Sequence, residues 1–112
     1  MGRPAAYAEA THVIVRDRLQ HGALREPFLK AVADVARGVL SVDCELHIDC
    51  ADELIEDGSL AADLWGFNIY PDAHLDFVSL INIRPANGNR TMHVQDPAIQ
   101  VRIRDLVGPY LP

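Results

Sequence analysis

Three side chains that can move a proton or bind a metal occur at alternate positions near the middle of the chain. They are Glu45, His47 and Asp49. An imidazole titrates near neutral pH and a carboxylate can orient it, so His47 with Glu45 is a candidate acid–base pair. His47 and Asp49 are weaker candidates as metal ligands, because alternate residues of a straight strand lie roughly 7 Å apart and do not converge on one ion. We therefore expect no resident metal and no other cofactor.

A second set of polar residues could bind an anion or another polar ligand. Its members are Asn68, Tyr70, Asn82 and Arg84. Arg84 is the strongest candidate, because a guanidinium binds carboxylate or phosphate through two parallel hydrogen bonds and Pro85 restricts the backbone before it. The solvated side of an antiparallel sheet would carry similar residues without any ligand, so that alternative stays open.

The two sets would meet on one surface if three predicted strands share a sheet. Alternating apolar and polar residues predict strands at 42–49, 64–70 and 77–84, with the polar side chains on the same face. The last two are close enough in sequence to form an antiparallel hairpin. The β-branched residues 13–15 predict one further strand.

Helical spacing of apolar residues predicts a long core helix that opens at Pro27 and reaches Val39. A short acidic helix is predicted at 52–55, with Asp49 or Cys50 as its cap and Gly58 as its end. Asp96-Pro97 predicts the start of a last helix, which Gly108 ends. The order β-α-β-α-β-β-α predicts an α+β two-layer sandwich: a mostly antiparallel sheet of three to four strands with helices on one face. Residues 1–11 are expected to be a loose extension and 12–112 a single domain.

Composition narrows the classes of partner. The formal net charge is −6, from 16 acidic and 10 basic side chains, which disfavours binding to nucleic acid. No segment is apolar enough to predict a membrane span, and residues 1–11 lack the layout of a secretory signal. The two cysteines, Cys44 and Cys50, are therefore expected to be free buried thiols in a cytoplasmic protein.

Several short segments together resemble the signatures of a family of small bacterial proteins of unknown function. They are LWGFNIYP at 64–71, SLINIRP at 79–85 and GNR at 88–90. The resemblance extends from about Val13 to Val107 and implies a shared fold. It implies no reaction, cofactor or partner.

Two hypotheses of function follow. The leading one is a non-catalytic binding or protein-interaction module that uses the polar sheet face, either as a homodimer, with a protein partner, or with a small anionic ligand that fits the arginines. The alternative is a small hydrolase-like enzyme, with or without a metal. There His47 with Glu45 or Asp49 would transfer a proton, and Arg84 would stabilise negative charge.

Overall fold

The fold is built on an antiparallel sheet, seen in a computed structural model that describes residues 13–14, 24 and 26–112. The strands are β1 (Val13–Ile14), β2 (Leu29–Asp34), β3 (Val39–Val42), β4 (Leu64–Ile69) and β5 (Leu75–Asp76). Their spatial order is β1-β3-β2-β4-β5, and each neighbouring pair is antiparallel. The described helices are α1 (His47–Glu56) and α2 (Pro97–Val107), with short 3₁₀ helices at Ala61–Asp63, Leu80–Asn82, Pro85–Asn87 and Gly108–Tyr110. The predicted α+β class is confirmed.

The two described helices cover opposite faces of the sheet. Helix α2 packs on the sheet face that carries Phe67 and the alternate residues of β4 on either side of it. Its contacting residues are Ile103, Leu106 and Val107. The buried side of α1 packs on the other face; its residues are Cys50, Ala51 and Leu54, against Val32 and Leu64 of the sheet. The expected placing of the helices on one face is therefore wrong. The sheet face that was predicted to be polar and solvated is largely covered.

The predicted helix from Pro27 to Val39 is wrong, because these residues form β2, a turn and the start of β3. The Asp34 carboxylate accepts the backbone N–H groups of Ala36 and Arg37 at 2.9 and 2.8 Å, and Gly38 has a φ of +72°. These features fix a tight turn. β2 is buried on both faces, so its apolar residues do not alternate and their spacing imitated a helix.

The predicted strand at 42–49 is also wrong, since β3 ends at Val42 and α1 begins at His47. Asp43 has a φ of +65°, which turns the chain out of the sheet. The carboxylate of Asp49 then accepts the Leu46 backbone N–H at 3.2 Å, which satisfies a donor that α1 leaves free at its start. Asp49 thus stabilises the beginning of α1, but from inside the helix.

Cys44 and Cys50 form a disulfide, with their Cα atoms 5.7 Å apart. The expectation of free thiols is therefore wrong. The two residues come together because α1 begins between them and turns Cys50 back towards the end of β3, where both are buried.

The predicted strand at 77–84 is replaced by an irregular segment. Of the residues that follow β4, only Leu75–Asp76 pair with it, with Asn68 opposite Asp76, so a hairpin forms there with a shorter second strand than expected. Val78 makes an isolated bridge with His93, and the chain then enters the 3₁₀ helix Leu80–Asn82. Gly66 permits this close approach, because a Cβ there would lie 2.5 Å from the Cβ of Ser79.

The last helix is confirmed as α2. The Asp96 side chain accepts the Ala98 N–H at 2.9 Å, Pro97 occupies the first turn, and Gly108 follows the final residue. The strand predicted at 13–15 is present as β1 at Val13–Ile14, while Val15 and the expected extension 1–11 lie outside the described residues. No helix within the part of the chain that the structure describes is long and apolar enough to cross a membrane.

Candidate functional site

A cavity of about 360 Å³ lies beside the start of α1; we call it the α1 cavity. One wall is formed by Leu46, His47 and Ile48, where the chain enters that helix. The opposite wall is the irregular segment 78–81 together with Met92. Phe28 and Lys30, at the start of β2, and Asn68 of β4 complete the lining. The cavity is therefore mostly apolar, with few polar side chains.

Lys30 is the only charged residue of that lining. It stands opposite Asn68 in the pairing of β2 with β4, and its Nζ donates to the backbone carbonyl of Glu45 at 2.7 Å. No carboxylate among the described residues forms an ion pair with Lys30. An ammonium group has three donors and this bond uses one, so Lys30 retains charge and donors for a ligand.

His47 joins the wall of the cavity to the sheet. Its Nε2 lies 2.9 Å from the carbonyl oxygen of Phe67, and because a carbonyl only accepts, Nε2 is the protonated nitrogen. Burial is the largest influence on the His47 pKa and lowers it; the charge of Lys30 also lowers it, while the Phe67 carbonyl and the nearby Asn68 side chain oppose the change. The imidazole is thus held neutral at neutral pH, with a lone pair on Nδ1.

Asn68 is 5% exposed and lies beneath these groups. Its Nδ2 donates to the carbonyl of Val78 at 3.2 Å, which ties β4 to the far wall of the cavity. Its Oδ1 is buried without a well-aligned hydrogen-bond partner, although the side chain is near enough to His47 to act on the imidazole pKa.

The rim of the cavity exposes large apolar side chains. Leu80 is 72% exposed and Leu46 is 56% exposed; Ile48 and Met92 are exposed to a smaller degree. Single exposed apolar residues are normal, but these four belong to one cavity lining. Grouped exposure of this kind is typical of binding surfaces.

The predicted catalytic and metal set is not brought together. His47 faces the cavity, Glu45 is exposed and contributes its backbone carbonyl, and the Asp49 carboxylate is bound to the Leu46 N–H. Across residues 13–14, 24 and 26–112, no group of three or more His, Cys, Asp and Glu side chains is placed to hold a metal ion.

Asn82 and Arg84 bind the protein's own backbone. Asn82 is buried; its Oδ1 accepts the Gly66 N–H at 2.8 Å and its Nδ2 donates to the Gly66 carbonyl at 2.9 Å. The Arg84 guanidinium lies 4.0 Å from the centre of the Trp65 ring. Arg84 also donates to three backbone carbonyls, those of Ala61, Ala62 and Leu64. Burial lowers the Arg84 pKa, against the opposing charge of Asp63.

Tyr70 lies away from the other predicted ligands, in a small aromatic cluster. Its ring is stacked on His74 with centroids 4.3 Å apart, and it contacts Phe28 at 5.3 Å. Of the four predicted ligand-binding residues, only Asn68 lines the α1 cavity. Sequence reasoning missed Lys30 and Phe28, although Lys30 carried one visible signal as the only lysine of the chain.

The fold and cavity define a small α+β protein with a mostly apolar cavity beside a helix start. The chain belongs to the family described as "Protein of unknown function (DUF5674)", whose model matches residues 9–109. This confirms the resemblance to a family of unknown function. No curated protein and no solved structure matches the chain.

Proposed function

We propose that this protein is a binding module that takes a small amphipathic anion into the α1 cavity, with an apolar body against the walls and a carboxylate at Lys30. A non-catalytic module with a small anionic ligand is one of the functions that the sequence predicts. The proposed site is a cavity and not the open sheet face that was expected. Small-molecule sites are typically apolar cavities of about 300–1,000 Å³ with few polar groups, and this cavity is of that size.

The observation that carries the proposal is the placement of Lys30. A positive charge at an apolar cavity, without a carboxylate partner among the residues that the structure describes, favours a ligand that brings its own negative charge. Neutral His47 offers only an acceptor at Nδ1 and no second positive charge, so a ligand with one anionic group fits the cavity better than a polyanion. The apolar walls supply the remaining affinity by burying the ligand body.

The test compares two probes with the same chain, octanoate and 1-octanol, by isothermal titration calorimetry. Wild-type protein should bind octanoate saturably. Lys30→Met should weaken octanoate binding by about tenfold or more, since a hydrogen bond to a charged group contributes about 1.5–3 kcal/mol, and should leave octanol binding nearly unchanged.

The matched control is Arg90→Met, which removes an exposed positive charge that does not line the cavity. It should leave both affinities unchanged. Equal octanoate affinity in wild type and Lys30→Met would refute the role of Lys30. Absence of saturable binding for either probe would refute the proposal and leave a protein partner or a homodimer on the apolar rim, which sedimentation velocity would detect.

The hydrolase alternative keeps His47 as its base and lacks the predicted carboxylate partner, because Asp49 is engaged at the helix start.

A cytoplasmic location also stays a prediction. Disulfides persist in oxidising compartments, and in the cytosol they are usually transient or redox-sensing. The Cys44–Cys50 bond therefore implies either an oxidising location or a redox role.

A further inference from the structure

The disulfide closes the loop that forms one wall of the α1 cavity. It joins two residues only six apart in sequence, and the loop that it closes contains Leu46, His47 and Ile48, the wall of the cavity. The same loop contains Glu45, whose carbonyl accepts the Lys30 ammonium. All the residues that the start of α1 contributes to the cavity therefore lie within the loop that the disulfide closes.

The sulfur atoms also lie against the strand that carries Lys30. Cys44 Sγ is 3.4 Å and Cys50 Sγ is 4.0 Å from the Lys30 carbonyl oxygen. Besides the disulfide, the loop is held to the sheet by two side-chain hydrogen bonds, from His47 to Phe67 and from Lys30 to Glu45. Two of its residues, Leu46 and Ile48, are exposed and contribute little packing to the core.

We infer that the Cys44–Cys50 disulfide is a redox control on ligand binding: the oxidised form holds the wall of the α1 cavity in its binding geometry, and the dithiol form releases it. This inference rests on the proposed function of the cavity. A disulfide that closes a short loop constrains the unfolded chain less than one that closes a long loop, so the reduced protein is expected to stay folded.

The chemistry needs a dithiol reductant. Its thiolate attacks the sulfur of Cys44, a residue that is 7% exposed, whereas Cys50 is fully buried. The S–S bond breaks, a mixed disulfide forms on Cys44, and Cys50 leaves as a thiolate that takes up a proton. The second thiol of the reductant then attacks the reductant's other sulfur, which is bonded to Cys44 in the mixed disulfide. That bond breaks, and Cys44 leaves as a thiolate that takes up a proton. Two electrons pass to the protein, and the reductant leaves as a cyclic disulfide.

The test measures octanoate binding in three samples: oxidised wild type, wild type reduced with dithiothreitol, and Cys44→Ala/Cys50→Ala. If releasing the wall leaves the binding geometry one-tenth populated, the apparent Kd rises about tenfold in the last two samples. Amide hydrogen exchange of each sample adds a structural readout. Exchange should accelerate at 45–48 and remain unchanged in α2, which packs on the opposite sheet face.

Equal octanoate affinity in all three samples would overturn the redox inference and leave the proposed function standing. Absence of binding in every sample would overturn the proposed function and the inference with it. Uniformly faster exchange, α2 included, would also overturn the inference, since the disulfide would then act on overall stability rather than on the wall. If dithiothreitol fails to reduce the buried disulfide, the variant Cys44→Ala/Cys50→Ala still provides a protein without that bond.

Discussion

Asn82→Ala is the substitution from which we expect the largest effect on stability. Asn82 is fully buried and its amide pairs with both backbone groups of Gly66, as a neighbouring strand would. Its Nδ2 also donates to the carbonyl of Met92 at 3.0 Å. Alanine removes all three hydrogen bonds and offers no replacement.

The magnitude follows from the groups left without partners. The N–H and C=O of Gly66 are both buried, and an unsatisfied buried backbone group costs about 1–3 kcal/mol. Asn82→Ala should therefore lower the free energy of unfolding by about 2–6 kcal/mol. Domains of ordinary stability have about 5–15 kcal/mol in total, so the variant should lose a large fraction of its stability and unfold at a clearly lower urea concentration than wild type.

The assay is urea denaturation followed by the fluorescence of Trp65, the only tryptophan and a buried one. The matched control is Asn87→Ala, an exposed amide five residues away whose loss should cost less than about 0.5 kcal/mol. If Asn82→Ala and Asn87→Ala unfold at the same urea concentration with the same slope, the amide of Asn82 does not act as a strand partner and the reasoning fails.

Three further substitutions test other contacts. Gly66→Ala should destabilise by about 1–3 kcal/mol through overpacking against Ser79, and a second change, Ser79→Gly, should restore part of the loss in the same urea assay. Arg84→Lys should lower the thermal midpoint measured by circular dichroism, because an ammonium cannot span the carbonyls that the guanidinium holds; an unchanged midpoint would contradict that role. The folded-state pKa of His47 lies below its unfolded value of about 6.5, so its contribution is complete above that pH and is lost as pH falls through the folded pKa. In His47→Gln, the free energy of unfolding measured with urea should change less between pH 7 and pH 5 than it does in wild type. An equal pH dependence in both proteins would refute this.

The part of the fold that sequence could predict is the part with local signals. Asp96, Pro97 and Gly108 mark the two ends of α2, and the run 64–69 is a strand as expected. Both depend on neighbours within a few residues. Caps, first-turn prolines and β-branched or aromatic runs act at that range, so they can be recognised without knowing what packs against them.

The errors arose where a distant partner decides the structure. β2 was predicted as a helix because strands on either side and helices on both faces bury all of it but Lys30, which removes the alternation that identifies a half-buried strand. Residues 42–49 alternate by chance, and two of their apolar members, Leu46 and Ile48, are exposed. The disulfide was missed because its geometry exists only once α1 begins at His47.

The candidate site could likewise be predicted only in part, because it depends on contacts between residues that are distant in sequence. Its residues come from β2, β4, the start of α1 and the segment 78–81, which no local pattern connects. His47 and Asn68 were recognised by residue type, and both line the cavity. Lys30 is the only lysine of the chain, but its place at the cavity depends on the pairing of β2 with β4, which no local pattern predicts.

The polar residues that stand out in the sequence have a structural reason to be there. Segment 77–94 has little regular secondary structure, so its buried backbone groups need side-chain partners. Asn82 provides them for Gly66, and Asn89 Nδ2 lies 2.8 Å from the Asn82 carbonyl and 3.0 Å from the His93 carbonyl. These amides thereby hold the residues 78–81 that form one cavity wall. Substitution of Asn82 or Asn89 should weaken ligand binding and stability together. Lys30→Met gives up one exposed hydrogen bond to the Glu45 carbonyl, so it should cost little stability while it weakens octanoate binding, and this difference separates a ligand contact from its support.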